Sequence, residues 1–364
     1  ANVLRGSGGI DILYGYGGDD VLEGGAGDDT LRDGPSTYAG PSGNDTLRGG
    51  DGNDYMNGGA GVDLFDGGDG VDRVSFYSLT ATQGVVANLI TQTIANDGFG
   101  NAENMISVEG IGDGTAYADT FIGNDGDNLI LASTGDTVQA NGGNDTFQLT
   151  GATALLDGGA GIDSVLQFTG DTQGRLQVDN NGDGLAQLIF ATQGVSVDLR
   201  TNRIINDGFG GAGTILNVEN VGGSTLNDTI FGNDGVDNVL TGFEGNDTLS
   251  GYGANDTLNG GAGNDTLNGG SGSDTATYAD ETDAMFVDLL AGNARRGSAL
   301  AAIEDTLISI ENVIGGAGND TITGTNGVNI LSGGAGDDTI RGAGAADQLR
   351  GDAGNDTFVY AIGD

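Results

Sequence analysis

The sequence predicts an all-β solenoid of stacked short parallel strands. Three observations carry that prediction: a nine-residue clock of glycine and aspartate, one large apolar residue per repeat, and a formal net charge of -42. The clock reads G-G-x-G-x-D-x-U-x, with U a large apolar residue. It is plainest in "GGAGNDTLNGGSGSDTAT", residues 260–277.

Each slot has a physical reason. Glycines at the first, second and fourth places permit the positive-φ or tight backbone that turns carbonyl oxygens inward. The aspartate at the sixth place sets an anionic oxygen beside those carbonyls. The x-U-x triplet is a minimal strand with one inward side chain, as at Leu249, Leu258, Leu267, Ile322 and Leu349. A strand of three residues cannot bury itself, but stacked on equivalent strands it builds a continuous apolar ladder. Two repeats make one coil, so each six-residue turn meets a turn of the same kind one coil away.

Composition narrows the function. Glycine fills 74 of 364 positions, but with 2 prolines and no three-residue period the chain is not collagen-like. Acidic residues number 53 against 11 basic ones, a balance that repels nucleic acid and anionic lipid. Cysteine, histidine and lysine are absent, which removes disulfides, the usual zinc ligands, the usual general base and Schiff-base chemistry. The expectation is a protein that is not an enzyme. No apolar run approaches the roughly 18 residues of a transmembrane segment. No signal peptide is visible either: "ANVLRGSGGID" enters the repeat almost at once and reads as a cut or processed edge.

The stacked turns predict a ligand. Carbonyl and carboxylate oxygens from successive turns enclose an all-oxygen cage, which suits a hard cation, and a flexible backbone-rich cage favours calcium over magnesium. About one ion on each of ~20 turns would bring roughly +40, close to the formal deficit. The metal-free chain should be expanded by self-repulsion, and ion binding should drive folding.

Along the chain, four arrays alternate with three interruptions. The arrays span 1–75, 114–166 (degenerate), 223–277 and 315–364; the strand-rich interruptions span 76–113, 167–222 and 278–314. The interruptions resemble one another. "ATQGVVANL" (81–89) matches "ATQGVSVDL" (191–199), "NDGFG" occurs at 96–100 and 206–210, and "ISVEGIG", "LNVENVG" and "ISIENVIG" lead back into repeats. Alternation at Val195, Val197 and Leu199, and at Ile308 and Ile310, predicts half-buried strands. Val74 with Phe76 and Ala276 with Tyr278 extend the alternation at the array exits, so the coil is expected to widen there. The one helix candidate is "SALAAIEDTL" (298–307).

Several side features have two readings each. Glu109, Glu219 and Glu311 recur in one context, as extra calcium ligands or lateral contacts, or as solvated edge charges. "DNNGDG" (179–184) has EF-hand spacing but ends on Phe190, so it is an incomplete calcium loop or an Asx-rich turn. The N-D-T sequons at Asn44, Asn264 and Asn355 are by-products of the repeat. Arg295-Arg296 could hold an anionic sugar or a partner's carboxylate, or lie in a solvent-exposed loop.

The nonapeptide resembles that of the RTX (repeats-in-toxin, haemolysin-type calcium-binding) family, over most of the chain. The resemblance implies a right-handed parallel β-roll, calcium ions between stacked turns, type I secretion and folding outside the cell. Carried over by position, the ligand aspartates are Asp11, Asp20, Asp29, Asp45, Asp54, Asp63, Asp72, Asp145, Asp163, Asp228, Asp247, Asp256, Asp265, Asp274, Asp320, Asp338, Asp347 and Asp356. The glycine places that join them include Gly24, Gly27, Gly49, Gly52, Gly58, Gly61, Gly260, Gly263, Gly269, Gly272, Gly333 and Gly336. Asn128 and Asn329 stand in the aspartate slot, which weakens or removes those sites. The turn at Asp136 has lost most of its glycines, and that at Asp347 is altered.

Two functions fit. One is a secreted, non-enzymatic extracellular scaffold, such as a surface-layer, fibre or adhesin segment, with self-association or cell-surface polysaccharide as candidate partners. The alternative is the calcium-binding and secretion module of a type I-secreted protease, lipase or alginate epimerase. The ending "GNDTFVYAIGD" resembles the last repeat before a C-terminal cap and secretion signal. An in-chain polysaccharide lyase would need a base beyond Arg295-Arg296.

Overall fold

Two nonapeptides per coil should place residue i beside residue i+18, and the strands pair in that register. The structure is a computed structural model describing residues 1–33, 43–78, 80–112, 114–133, 135–149, 155–167, 176–178, 187–189, 191, 193–297 and 304–360. The described residues form strands and turns without a helix, and the chain divides into two compact units. One comprises residues 1–192 with 209–218; the other comprises 193–208 with 219–364. Each is a β-roll of short parallel strands.

In the first unit, Val3–Gly8, Val21–Ala26, Thr46–Asp51 and Leu64–Asp69 run parallel along one face. Val3 stands opposite Val21, and Thr46 opposite Leu64. Across the core, Ile12–Tyr14, Thr30–Arg32, Tyr55–Asn57 and Arg73–Ser75 form the second face. Leu22, Leu31, Leu47, Met56, Phe65 and Val74 fill the space between them, all buried. In the second unit the ladder Leu249, Leu258, Leu267, Ile322 is likewise buried, as expected from the U slot, while Leu349 is half-buried. The two faces differ in one respect. Strands of the second face have three or four residues, but several on the first have six, because pairing runs on into the next repeat's glycines, as in Gly25 opposite Gly50.

The interruptions are not widened coils. In the first, Val85–Asn88 and Thr93–Asp97 form an antiparallel hairpin. Glu103–Ile106 then pairs antiparallel to Thr93–Asp97 and parallel to Leu64–Asp69. The hairpin is inserted into one face only. The other continues from Arg73–Ser75 through Gly110–Gly112 to Leu129–Ala132, parallel throughout. Met285–Asp288, Asn293–Arg296 and Asp305–Ile308 repeat the arrangement in the third interruption. In the second, Val195–Asp198 and Arg203–Asp207 form the hairpin.

Most predicted alternations hold: Val195, Val197, Leu199, Phe76 and Tyr278 are buried. Ile308 is not. It points outward, 43% exposed, with Leu307 in the core position, while Ile310 is buried: Ser309, at a φ of 50°, turns the backbone between the two isoleucines, so they do not alternate along one strand. The helix candidate fails where it is described, since Asp305–Ile308 is a strand; residues 298–303 lie outside the described residues, as does the 179–184 loop.

Candidate metal centre

The repeat aspartates form a ladder along each array. The backbone N–H of one aspartate donates to the Oδ1 of the aspartate one coil on: Asp11 to Asp29 (2.8 Å), Asp20 to Asp45 (2.7 Å), Asp29 to Asp54 (2.8 Å), Asp45 to Asp63 (2.7 Å) and Asp54 to Asp72 (2.8 Å). The series recurs from Asp145 to Asp163, from Asp247 to Asp265, from Asp256 to Asp274 and from Asp320 to Asp338. Asp347 and Asp356 continue it, half-buried, accepting from the N–H groups of Asn329 and Asp338. A second, exposed ladder runs beside it through the fifth repeat position, where Asn44 and Asn53 accept from the N–H groups of Val62 and Val71. The sequon asparagine Asn44 is therefore a structural turn residue.

What the ladder leaves over is the other carboxylate oxygen. Oδ2 of Asp11, Asp20, Asp29, Asp45, Asp54, Asp63, Asp72, Asp145, Asp247, Asp256, Asp265, Asp274 and Asp338 is buried and meets no hydrogen-bond donor. A buried carboxylate oxygen without a partner is costly unless a cation supplies the missing charge. Burial accordingly pushes the carboxyls up: Asp45 and Asp145 to about 7, Asp63 and Asp247 to about 8.

The glycine slots serve this oxygen in two ways. At Gly49, in the first slot, a Cβ would collide with Asp54 Oδ2 and lie 2.6 Å from the Gly67 carbonyl oxygen of the next coil. The same collision with the repeat's own aspartate arises at Gly24, Gly58, Gly260, Gly269 and Gly333, so this slot is small for space rather than for dihedral. Gly27, in the fourth slot, has φ of 122°, which L residues rarely adopt. Gly52, Gly61, Gly263, Gly272 and Gly336 share that conformation. Carboxylate and main-chain carbonyl oxygens thus crowd one spot, the all-oxygen chemistry of a hard cation. Among the described residues no three acidic side chains converge closely enough to hold an ion by themselves. Main-chain oxygens must therefore supply most of each cage. The residues fit calcium.

Not every expected ligand belongs to this class. Asp228 and Asp320 are satisfied by the protein. Asp228 accepts from the N–H groups of Val195 and Ser224 and from the Ser224 hydroxyl; Asp320 accepts from the N–H groups of Met285 and Gly316. These two corrections share a setting: each turn stacks on a nonapeptide turn on one side and on an interruption on the other, and the Val195 and Met285 donors come from that interruption. In the 315–320 turn, Ala317 N–H donates to the Glu281 carbonyl (2.7 Å), and neither Gly316 nor Gly318 takes a positive φ. Asp136 is also self-capped, accepting from the Ser133 N–H and hydroxyl and from Asp119 N–H. In the asparagine slots, Nδ2 of Asn128 and Asn329 donates to the carbonyls of Glu109 and Glu311. Asn238, which sequence reasoning missed, does the same to Glu219.

The interruptions also supply carboxylates. Glu109 and Glu311 accept from the N–H groups of Asp72 (3.1 Å) and Asp274 (3.0 Å), so they are half-buried rungs of the ladder rather than free edge charges. Glu103 and Asp305, both buried, do the same for Asp63 and Asp265 at 3.1 Å. The signal for them was present: "ENMIS" (103–107) and "DTLIS" (305–309) share an acid ahead of the same pattern. Arg295 and Arg296 lie on a hairpin strand, not in an exposed loop, and Arg296 pairs with Glu281.

Comparison with known families places this geometry. The profile of the RTX calcium-binding nonapeptide repeat matches residues 1–31, 40–74, 113–147, 223–244, 241–276, 309–335 and 323–358, more than half of the chain. The chain has no significant match among curated proteins. No helix among the described residues is long and apolar enough to cross a membrane.

Proposed function

The chain belongs to the RTX calcium-binding nonapeptide repeat family, and from that premise we propose that it is a secreted extracellular scaffold, non-enzymatic, that folds on calcium outside the cell. Calcium binding itself comes with the repeats. The observation that carries the scaffold reading is the run of buried, donor-free carboxylate oxygens among the described residues of both β-rolls. Such a chain opposes its own compaction until cations arrive, and each β-roll then becomes rigid. A fold of this kind suits a protein exported by type I secretion from a low-calcium interior into a calcium-rich exterior. The absence of histidine, lysine and cysteine supports a structural rather than catalytic task. Self-association or a surface polysaccharide is the partner this reading favours.

The test is a calcium titration followed by circular dichroism and light scattering. Expected are loss of β-structure in excess chelator, its recovery in millimolar calcium, and little recovery with magnesium. A chain that keeps its β-structure in chelator at neutral pH would refute the metal-driven fold. Growth of large particles with calcium supports assembly. Turnover of a uronate polymer would overturn the non-enzymatic reading, and an H-E-x-x-H or G-x-S-x-G motif upstream of Ala1 would replace the scaffold with an exoenzyme module.

A further inference from the structure

The first and third interruptions rejoin their arrays through a shortened turn. Ile106 stands opposite Asp66 and Gly110 opposite Arg73, so residues 107–109 fill the place that 67–72 fill one coil earlier. Residues 309–311 replace 269–274 in the same way, between Ile308 opposite Asn268 and Asn312 opposite Thr275. Ser107 therefore holds the place of the first-slot glycine Gly67, and Glu109 that of Asp72. Val108 and Ile310, in the middle of each short turn, are buried. The extra methylene of glutamate lets Glu109 and Glu311 reach the Asp72 and Asp274 N–H groups from a turn half as long.

The short turn keeps one more property of the long one. Within the arrays, two oxygens crowd the space beside a first-slot glycine: Asp29 Oδ2 and the Gly49 carbonyl at Gly24, and Asp54 Oδ2 and the Gly67 carbonyl at Gly49. At Gly67 the two are Asp72 Oδ2 and the Ser107 carbonyl; at Gly269 they are Asp274 Oδ2 and the Ser309 carbonyl. In the second interruption Asn217 presents its carbonyl to Gly158. Ser107, Asn217 and Ser309 aim these carbonyls with φ of 50°, 49° and 50°, a region that residues other than glycine seldom occupy. A rare conformation kept at one place in all three interruptions points to the carbonyl as its purpose. Asp72 and Asp274 are fully buried, and neither Oδ2 meets a donor.

The turns that follow the hairpins are different. Asp119 accepts from the Val85 N–H and the Thr115 hydroxyl on Oδ1 and from the Thr115 N–H on Oδ2. Asp228 and Asp320 are sealed in the same manner. We infer that the first and third arrays each end on a calcium ion shared with the interruption: Asp72 Oδ2 and the Ser107 carbonyl hold one, Asp274 Oδ2 and the Ser309 carbonyl the other, with Glu109 and Glu311 adding a second carboxylate. Main-chain oxygens carry the rest of each shell, as in the arrays. Each of these hairpins is thus joined to the array before it by an ion and to the array after it by protein donors alone. The inference rests on the calcium-binding reading above.

The test counts ions on the full chain by native mass spectrometry at saturating calcium, with circular dichroism as the folding control. Asp72→Asn and Asp274→Asn should each fold, since Asn128, Asn238 and Asn329 already serve in this slot by donating to carbonyls. Each is expected to carry one ion fewer than the parent, while Asp228→Asn, at a sealed turn, keeps the parent's count. A folded Asp72→Asn or Asp274→Asn with an unchanged count overturns the site. Should either fail to fold, Glu109→Gln or Glu311→Gln decides at that end. The amide oxygen still accepts the N–H, but the last ion to bind should need about tenfold more calcium, because a ligand charge is gone. An unchanged calcium dependence of the ion count there overturns the site as well. A parent chain that binds no calcium would instead refute the functional reading itself.

Discussion

Replacing Asp247 by asparagine should change the sign of its effect with the solution. The amide keeps an oxygen for the Asp228 N–H, which Asp247 Oδ1 accepts at 2.7 Å, but removes the charge on the donor-free Oδ2. Burial is the largest cause of the raised Asp247 carboxyl, from 3.8 to about 8, with Asp228 and Asp265 adding repulsion. The folded, metal-free chain therefore holds a proton that the unfolded chain releases. That contribution is fully present below pH 3.8 and is lost as pH rises towards about 8. At 1.36 kcal/mol per unit the loss is at most about 6 kcal/mol, and water reaching between coils reduces it to the order of 2 kcal/mol.

Asp247→Asn has no such loss. In chelator at pH 8 it should be more stable than the parent by about 2 kcal/mol, and at pH 4 the difference should vanish. In calcium the order reverses, because the parent gains about 2.7 kcal/mol per site once the ion stands at a hundred times its Kd. Urea unfolding followed by circular dichroism, in chelator and in calcium at both pH values, reads all of this. A variant that is destabilised equally with and without calcium would refute the idea that an unneutralised carboxylate is what opposes the metal-free fold.

Other consequences can be checked with the same assays. Asp320→Asn should leave the ion count unchanged by native mass spectrometry, while Asp338→Asn lowers it by one, although both aspartates follow a full glycine consensus. Gly49→Ala forces a methyl group against Asp54 Oδ2 and should cost about 1–3 kcal/mol as overpacking, together with the ion held there. Gly9→Ala meets nothing within 4 Å and bears only the strain of φ 99°, about 1–2 kcal/mol, seen as a small shift in Tm. Leu267→Ala removes a buried rung paired between Leu249 and Leu307 and should cost about 2–5 kcal/mol in urea unfolding.

The ladder was legible because each repeat states its own chemistry. A glycine, an aspartate and one apolar residue at fixed spacing determine the turn, the rung and the inward side chain, whatever the neighbouring coil contains. What stayed hidden depends on the neighbour. "GGAGND" at 315–320 has the same letters as 260–265, yet only Asp265 keeps a donor-free oxygen, because the turn at 315–320 lies against the segment that leads into the hairpin and accepts the Met285 N–H. A cage is a property of two stacked turns, and a local motif describes one. Glu103 and Asp305 were missed for a related reason: they sit at strand starts, and neither follows the G-G-x-G run that marks a repeat aspartate. The hairpins themselves were read as half-buried strands in a widened coil, since alternation gives the inward face of a strand but not its direction.

The first and third interruptions span the same sequence distance between rungs, 40 residues from Asp63 to Glu103 and from Asp265 to Asp305, and 37 from Asp72 to Glu109 and from Asp274 to Glu311. Each returns the chain to the rung it left. In the language of inheritance, such a hairpin is a cassette that preserves reading phase: it can be copied between arrays or drift in sequence without disturbing the repeats on either side.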